Sequence, residues 1–464
     1  MQQAARVAAS LVCANGLSSM GLAAPSPRLR AWITAGQKKF AEMTVQPWQT
    51  TPGAHTGVVE IDATQQFQSI LGFGGAFTDA SCYLFSRMEP AARRQLLEEL
   101  VGPSGLRLSV GRTCIGSSDY SRSAYTFDDS ATPDPELKKF SIAHDRDYIL
   151  PLLREAQHVN PELFLFSAPW SPPGWMKSSN SLLGGSMRKQ YLGAYAQYFV
   201  KFLQAYKAEG VSIQAVTAQN EVDTDQDGRM PASLWGQEYE AGFIKEFLGP
   251  ALHDASLDTK IWLLDHNYNL WGRVLDLLGD PDVAQYVDGV AWHGYVGTPD
   301  AMTRVHNAHP SKGAYWTEGG PDMAAPDYAT DWAKWSGTYA GILKNWARCI
   351  VAWNLVLDEK GTPNIGPFSC GGVVTLDSKT RLLTRSGQYW AFAHYSKAVR
   401  RGARVLATKA DLDGIEHVAF ANPNGDYVLV LTNQGAEREI ECRFEGKSLP
   451  LTLPRNSVIT LQWT

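Results

Sequence analysis

Cysteine is scarce in this 464-residue chain, and its pattern excludes two classes of protein. The six cysteines form no Cys-x-x-Cys pair and show no spacing typical of metal ligands. They stand far apart, at Cys13, Cys82, Cys114, Cys349, Cys370 and Cys442. We therefore expect neither a zinc site nor a disulfide scaffold.

The chain also lacks a basic excess and a long apolar run. Its formal net charge is −5, and no long basic segment offers an electrostatic footprint for nucleic acid or an anionic membrane. Beyond the N-terminal segment, no stretch approaches the roughly 18 consecutive apolar residues that a membrane span needs. We expect a soluble protein that binds no nucleic acid and has no membrane span.

Residues 1–24 allow two interpretations. Arg6, the apolar run from Val7 to Cys13 and the small residues from Gly21 to Ala24 imitate a secretory signal with its cleavage site. Polar residues and glycine at 15–19 interrupt that pattern. A cleaved signal would make the protein secreted or periplasmic, whereas a plain leader would leave it cytoplasmic.

The composition is that of a globular protein, with 44% hydrophobic and 19% charged residues. Aromatic residues make up 11% of the chain. Aromatic rings suit the apolar faces of sugars, although large cores use them as well. The length accommodates one barrel of roughly 250 to 350 residues together with a smaller domain.

Between residues 66 and 400, short apolar runs alternate with amphipathic segments, which is typical of βα units. Helical patterns occupy the intervals between the runs, at 90–100, 145–158, 187–207 and 234–248. The predicted strands are 70–77, 106–114, 163–170, 213–221, 260–267, 289–295, 314–318 and 350–355. Eight such units predict an α/β fold with a (β/α)8 TIM barrel.

The C-terminal part of the chain follows a different pattern. Short alternating runs at 418–421, 427–432, 439–444 and 458–463 are separated by turn signals such as Asn422-Pro-Asn-Gly425. A further strand-like run, 57–61, precedes the barrel. We predict a smaller side β-sandwich built from both chain ends, residues 40–65 together with 401–464.

Two glutamates stand where barrel enzymes place their reacting groups, at the C-terminal ends of strands. The fourth predicted strand ends at Glu221 and the seventh at Glu318. Two facing carboxyl groups suit glycoside hydrolysis, in which their separation decides between retention and inversion. Either glutamate alone could be a structural hydrogen-bond acceptor, so the pair indicates a glycosidase with its stereochemistry open.

Several motifs, in the same order, resemble the glucosylceramidase-type enzymes of glycoside hydrolase family 30. The resemblance extends over residues 57 to 464. The motifs are IDATQQFQSILGFGGAFTD (61–79), APWSPPGWMK (168–177), YFVKFLQAY (198–206), AVTAQNE (215–221) and WNL (353–355).

The resemblance implies a retaining double displacement on a carbohydrate substrate, with no cofactor and no metal. It makes Glu221 the acid/base and Glu318 the nucleophile. The other implied site residues are Asn220 at the sugar 2-hydroxyl, Asp119, Trp170 and Trp353 around the nonreducing-end sugar, and Arg112 and Tyr295 beside the nucleophile, with His293 nearby.

Each of these residues also has a structural interpretation. Asp119 could cap a loop, the two tryptophans could belong to the core, and Arg112 could form a structural ion pair. His293 is more often a satisfied polar residue than a ligand. Asn364, in the segment 361–365, is a further candidate for the rim of the site.

Three departures from the family pattern concern the leaving group. Val222 replaces the usual proline after the acid/base, and Gly294 replaces a tryptophan. The loop after Glu221 carries Asp223, Asp225 and Asp227, which is polar for the neighbourhood of a lipid.

The sequence favours an exo-acting β-glucosidase in which the environment raises the pKa of Glu221 towards neutrality. A β-xylosidase or a β-1,6-glucanase of the same family is the alternative, and a noncatalytic carbohydrate-binding protein is a third hypothesis.

Overall fold

Eight parallel strands close into a barrel in the computed structural model, which describes residues 29–50 and 57–464. Each strand pairs with its neighbours in the chain, and strand eight pairs with both strand seven and strand one. In chain order the barrel strands are Gly72–Ala76, Val110–Cys114, Phe164–Ala168, Ala215–Thr217, Lys260–Asn267, Val287–His293, Gly313–Glu318 and Ala347–Asp358. All eight predicted strands are present, and the predicted barrel is confirmed.

Side chains fill the barrel interior, so the barrel is not a pore. Every strand except the first contributes to this layer, and Trp262 stacks on Tyr315 with ring centroids 3.9 Å apart. The buried members are Val110, Phe166, Ala215, Trp262, Ala291, Tyr315, Cys349 and Val351. A reaction site can therefore form only at the mouth of the barrel.

Helices surround the barrel, but two of the predicted helices are subdivided. The pattern 145–158 forms Ala143–Arg146 and Ile149–Val159, and the pattern 234–248 contains a π-helical turn, Phe243–Leu248. The remaining α-helices are Asp79–Ser86, Pro90–Val101, Leu192–Ala208, Gln237–Gly242, Gly249–Asp254, Trp271–Gly279, Pro281–Ala284, Asp300–Ala308, Trp332–Lys344 and Gly387–Ser396. Among the described residues, no helix has the length and apolarity that crossing a membrane requires.

Nine strands form the smaller β-domain, and they come from both ends of the chain. The strand Val58–Ser69 pairs with Arg404–Ala410 and Arg438–Phe444, while Arg30–Ala35 pairs with Ser457–Trp463. The others are Lys38–Met43, Ile415–Ala421, Tyr427–Asn433 and Lys447–Leu453. The predicted origin of this domain from both chain ends is confirmed.

The first hairpin of the β-domain was not anticipated by the pattern of the sequence. It consists of Arg30–Ala35 and Lys38–Met43, and so begins ahead of residue 40, where we placed the start of the domain. Its second strand lies at the edge of the sheet and carries no fully buried residue, so it lacks the apolar alternation that identifies a strand. The proposed signal or leader, residues 1–24, lies outside the described residues.

A buried histidine joins the barrel to the β-domain. His394 lies in the helix Gly387–Ser396, and its two ring nitrogens lie 2.8 Å from Thr460 Oγ1 and 2.8 Å from Thr34 Oγ1. Burial lowers its pKa to about 3, so the imidazole is neutral in the folded protein. The unfolded chain can take up a proton that the folded chain excludes.

Replacing His394 with glutamine should make the stability of the protein less dependent on pH. A group with a lower pKa in the folded state contributes stability above its unfolded pKa of 6.5 and loses it as the pH falls towards 3. Between pH 7.5 and pH 5 the wild type should lose about 2 kcal/mol through this residue. Tm measured at both pH values should fall less in His394→Gln than in the wild type.

The exposed His253 provides the matched control. His253→Gln should show the wild-type fall in Tm between the two pH values. An equal fall in His394→Gln would show that the buried imidazole is not responsible for the acid sensitivity.

Candidate active site

The two predicted carboxylates meet in a cavity of about 380 Å³ at the C-terminal mouth of the barrel. Glu318 is the last residue of barrel strand seven, and Glu221 follows strand four. The cavity is lined by Asp119, Trp170, Asn220, Glu221, Gln226, Met230, His266, Asn267, Tyr295, Val296, Glu318, Trp353, Phe368 and Cys370. The site therefore lies where the barrel topology places reacting groups.

Glu221 lies in a turn rather than at the end of its strand. Strand four ends at Thr217, earlier than predicted, and the chain bends after it. Two bonds hold the bend to the adjoining segments: Asn220 N–H donates to Pro169 O at 2.8 Å, and Glu221 N–H donates to Asp265 O at 3.0 Å. Glu221 has a φ of 54°, in the left-handed region that non-glycine residues seldom adopt.

Arg112 connects three acceptors beneath the cavity. Its side chain is fully buried and donates to Glu318 Oε2, to Asn220 Oδ1 at 2.8 Å and to Asp265 Oδ2 at 2.8 Å. Its guanidinium carbon also lies 4.8 Å from the ring centroid of Trp170. Arg112 thus forms the ion pair that its structural interpretation expects, and the same side chain contacts Glu318 and Asn220.

Asp265, on barrel strand five, is a site residue that the sequence analysis missed. Its buried carboxylate accepts from Thr217 Oγ1 at 2.9 Å and Thr317 Oγ1 at 2.8 Å, and it lies 3.0 Å from His293 Nε2. Burial alone would raise the pKa of Asp265, but the charge of Arg112 holds that pKa well below its usual range. An aspartate directly after the apolar run of a buried strand was the available signal.

Tyr295 contacts the other oxygen of Glu318. Its hydroxyl donates to Glu318 Oε1 at 2.9 Å, and its backbone N–H donates to Asn267 Oδ1 at 2.9 Å. Burial of the hydroxyl and the nearby charge of Glu318 raise the pKa of Tyr295 well above its usual value, so the phenol remains a donor. Arg112 and Tyr295 thus fix both oxygens of Glu318 for attack.

His293 lies between the two catalytic carboxylates. Its Nδ1 is 3.5 Å from Glu221 Oε1 and 3.9 Å from Glu318 Oε1, and the ring is fully buried. Burial opposes the charged imidazolium, but Glu318, Asp265 and Glu221 outweigh burial and raise the pKa of His293 to about 9. His293 is a central member of the charge network.

The expectation of a raised pKa for Glu221 is wrong. Burial favours the neutral acid, but the interactions with His293, His266 and Gln226 together lower the pKa of Glu221. These interactions favour the imidazolium of His293 over the acid form of Glu221.

A pair of tryptophans and an aspartate form the end of the cavity opposite these histidines. Trp170 and Trp353 are stacked with centroids 5.0 Å apart, and each is only 2% exposed, so they are both packed residues and cavity walls. Asp119 Oδ1 is buried and has no hydrogen-bond partner among the described residues. Burial, together with the charges of Glu318 and Glu221, raises the pKa of Asp119 well above its usual value. A buried acceptor without a partner is costly, and a sugar hydroxyl would satisfy it.

Asn364 does not line the cavity itself, and its place at the rim stays a prediction. Its Nδ2 donates to Phe368 O at 2.6 Å, and its Oδ1 accepts from Gly366 N–H at 2.7 Å. Asn364 therefore folds its own loop, which is the usual local bonding of asparagine in turns. Phe368, on the same loop, reaches the cavity instead.

Glu221, His266 and His293 also form the one group among the described residues that could hold a metal ion. Their potential ligand atoms lie within 4.8 Å of one another. The Nε2 atom of each histidine contacts a further carboxylate. His266 Nε2 lies 2.5 Å from Asp223, and His293 Nε2 lies 3.0 Å from Asp265. These contacts orient the other nitrogen of each ring towards Glu221.

The indole of Trp316 occupies the space that a side chain at position 294 would need. A Cβ atom at this position would lie 2.8 Å from the indole of Trp316. Trp316 is buried beneath the strand end, so the aromatic side chain expected at 294 has no space there. Gly294 therefore adds no aromatic wall next to Tyr295, where the family pattern has a tryptophan.

Comparison with known families agrees with this geometry. The model of the glycosyl hydrolase family 30 TIM-barrel domain matches residues 70–399, and that of the family 30 beta sandwich domain matches residues 402–461. The chain belongs to glycosyl hydrolase family 30. The enzyme is therefore a retaining glycoside hydrolase acting on a carbohydrate substrate, and the resemblance seen in the sequence is confirmed.

Relatives of this family 30 enzyme include two kinds of glycosidase. It is 34% identical to an endo-1,6-β-D-glucanase of Neurospora crassa over 94% of its own length and 95% of the relative. It is 29% identical to the lysosomal acid glucosylceramidase of Mus musculus over 82% of its length and 78% of the relative. The solved structure of an endo-β1,6-glucanase superposes with a TM-score of 0.84 and 31% identity, over 94% of this chain and 99% of that one.

Trapping should identify the nucleophile. Incubation with a 2-deoxy-2-fluoro glucosyl donor should add one sugar to the wild type, because the fluorine slows hydrolysis of the covalent intermediate. Intact mass should show the adduct in the wild type and in the surface control Glu246→Gln, but not in Glu318→Gln. An adduct on Glu318→Gln would assign the nucleophile elsewhere.

Removing the Tyr295 hydroxyl should slow the reaction without unfolding the enzyme. A hydrogen bond to a charged group is worth about 1.5–3 kcal/mol, so kcat/KM for Tyr295→Phe should fall roughly 10- to 100-fold. The exposed Tyr239, outside the cavity, supplies the control Tyr239→Phe, which should retain wild-type rates. Equal rates for Tyr295→Phe and the wild type would contradict an orienting function.

Proposed function

We propose that the enzyme is an endo-acting β-1,6-glucanase that cleaves internal glucosidic bonds with retention. The observation that carries this proposal is the likeness to endo-1,6-β-glucanases over nearly the whole chain, in sequence and in structure. The exo-acting β-glucosidase, which the sequence analysis favoured, is not confirmed. Of the hypotheses drawn from the sequence, the alternative has the stronger support.

The polar character of the cavity beside Glu221 supports a hydroxylated leaving group. Gln226, His266 and Asn267 line this part of the cavity, and Asp223 is bonded to His266 at its edge. A sugar offers hydroxyl groups to such side chains, whereas a lipid chain would leave them unsatisfied. The glucosylceramidase relatives are also the more distant ones in identity.

The exposed rim can contact the flat faces of neighbouring sugar units. Tyr295 is 47% exposed and Phe368 is 44% exposed, and both border the cavity. Exposed aromatic rings at the edge of a cleft are suited to stacking on sugars. Contacts on the rim would allow a chain to extend beyond the cavity, as internal cleavage requires.

The geometry indicates how the first step proceeds. Glu318, held by Arg112 and Tyr295, attacks the anomeric carbon while the bond from that carbon to the leaving oxygen breaks. Glu221 gives a proton to the leaving oxygen. That proton comes from His293, since exclusion of water by the sugar favours the neutral pair over the ion pair of Glu221 and imidazolium.

The second step reverses the proton movement. Glu221, now a carboxylate, takes a proton from water, and the water oxygen attacks the anomeric carbon and releases Glu318. Bonding to the sugar has meanwhile removed the charge of Glu318. The product keeps the β configuration because the anomeric centre is inverted twice.

Digestion of linear β-1,6-glucan tests the proposal. An endo-acting enzyme should produce a ladder of short oligosaccharides early in the reaction, and proton NMR should first detect the β-anomer. Turnover of glucosylceramide in mixed micelles should be at least 10-fold slower, because the polar leaving-group side of the cavity disfavours a lipid. Glu318→Gln serves as the inactive control.

Two results would contradict this assignment. Release of glucose alone, without intermediate oligosaccharides, would indicate exo action. Faster turnover of glucosylceramide than of the glucan would indicate a glucosylceramidase.

A further inference from the structure

The loop 222–234 follows the acid/base, and one of its side chains, that of Gln226, contacts Glu221. Gln226 Nε2 donates to Glu221 Oε2 at 2.7 Å. The two histidines near the other oxygen are farther away, at 3.5 Å and 3.6 Å. Gln226 therefore makes the shortest polar contact that the described residues offer to the carboxylate of Glu221.

The backbone of the loop is shaped to present this amide. Gln226 has a φ of 53°, and the next residue, Asp227, also has a φ of 53°. Non-glycine residues seldom adopt this region, and such conformations cluster at functional sites. The N–H of Gln226 donates to Thr224 Oγ1 at 3.0 Å, which stabilises the turn.

A second loop holds the first one in place. Asp225 Oδ2 accepts from the backbone N–H of Gly185, in the loop after barrel strand three, at 3.3 Å. Lys177 is fully buried between the loops and donates to Ala232 O at 2.6 Å and to Leu182 O at 2.9 Å. The position of Gln226 is thus set by two loops and not only by its own bond to Glu221.

Gln226 also lines the cavity, so its amide can contact the substrate. A group 2.7 Å from an oxygen of the acid/base lies next to the glycosidic oxygen and hence next to the leaving group. One amide hydrogen is donated to Glu221, while the second hydrogen and the amide oxygen remain for hydroxyl groups.

We propose that Gln226 positions the acid/base Glu221 and forms a polar contact to the leaving sugar. The positioning function does not depend on the identity of the substrate. The contact to a sugar leaving group rests on the proposed glucanase function. The acid/base chemistry alone does not explain the aspartate-rich loop. In this proposal the loop holds Gln226 in position.

Loss of the amide has a defined effect on the pH profile. A donor to the carboxylate favours its ionised form, so removing the donor raises the pKa of Glu221. The alkaline limb of the kcat profile reports the acid form of the enzyme–substrate complex, in which the sugar favours a proton on Glu221. In Gln226→Leu this limb should move to higher pH, by about one pH unit.

Three substrates separate the two functions of Gln226. Phenyl β-glucoside needs a proton on its leaving group, and 2,4-dinitrophenyl β-glucoside does not. A β-1,6-linked glucose oligosaccharide adds a sugar as the leaving group. Each should be assayed with wild type, Gln226→Leu, Gln226→Glu and the control Gln237→Leu, a residue bonded on the surface to Asp276.

The expected pattern differs between the substrates. Gln226→Leu should lose roughly 10- to 100-fold in kcat/KM on phenyl β-glucoside, a larger factor on the oligosaccharide, and less than about 3-fold on the dinitrophenyl substrate. Gln226→Glu, which keeps the shape and adds a negative charge, should move the alkaline limb at least as far. Gln237→Leu should match the wild type on all three.

Two outcomes would overturn the proposal in different ways. Equal losses of kcat/KM on the phenyl and dinitrophenyl substrates, with an unmoved alkaline limb, would show that Gln226 has a merely structural function. Unchanged Tm values of the variants would exclude misfolding as the cause. Equal losses on the oligosaccharide and the phenyl substrate would remove the contact to the sugar but leave the positioning function. Failure of the wild type to cleave any β-1,6 linkage would refute the glucanase proposal, while the aryl substrates would still decide the positioning function.

Discussion

The site depends on the ion pairs of Arg112, whose charge is buried beneath the mouth of the barrel. A buried cation needs opposite charge close by, and Arg112 pairs with Glu318 and Asp265 and also donates to Asn220. These three acceptors come from barrel strands seven and five and from the turn after strand four. One guanidinium thus brings Glu318, Asp265 and Asn220 into one arrangement.

The same cluster determines where the protons are. Arg112 holds the pKa of Asp265 well below its usual range, and Asp265 lies 3.0 Å from His293. His293 in turn contacts both Glu221 and Glu318, so a single ring links the two carboxyl groups.

The barrel supplies the chemistry, and the loops supply the selectivity. The network around Arg112 comes from barrel strands and from the turn after strand four, whereas Gln226 and Phe368, which also line the cavity, lie on loops. Gly294 stands in the bend after strand six, where the family pattern has a tryptophan. Enzymes of one fold diversify by such loop changes, which accounts for glucanases and glucosylceramidases as relatives of the same chain.

Local patterns were sufficient to predict the barrel strands and the two carboxyl groups. Apolar runs mark the eight strands because buried parallel strands need them, and the ends of the fourth and seventh predicted strands point to Glu221 and Glu318 because reacting groups lie at the mouth of a barrel, although strand four stops at Thr217. The contacts across strands required the tertiary structure. It joined Asp265 to Arg112 and His293, bonded the Asn364 side chain within its own loop and placed Gln226 on Glu221. Such distances depend on how separate segments pack, and no local pattern records them.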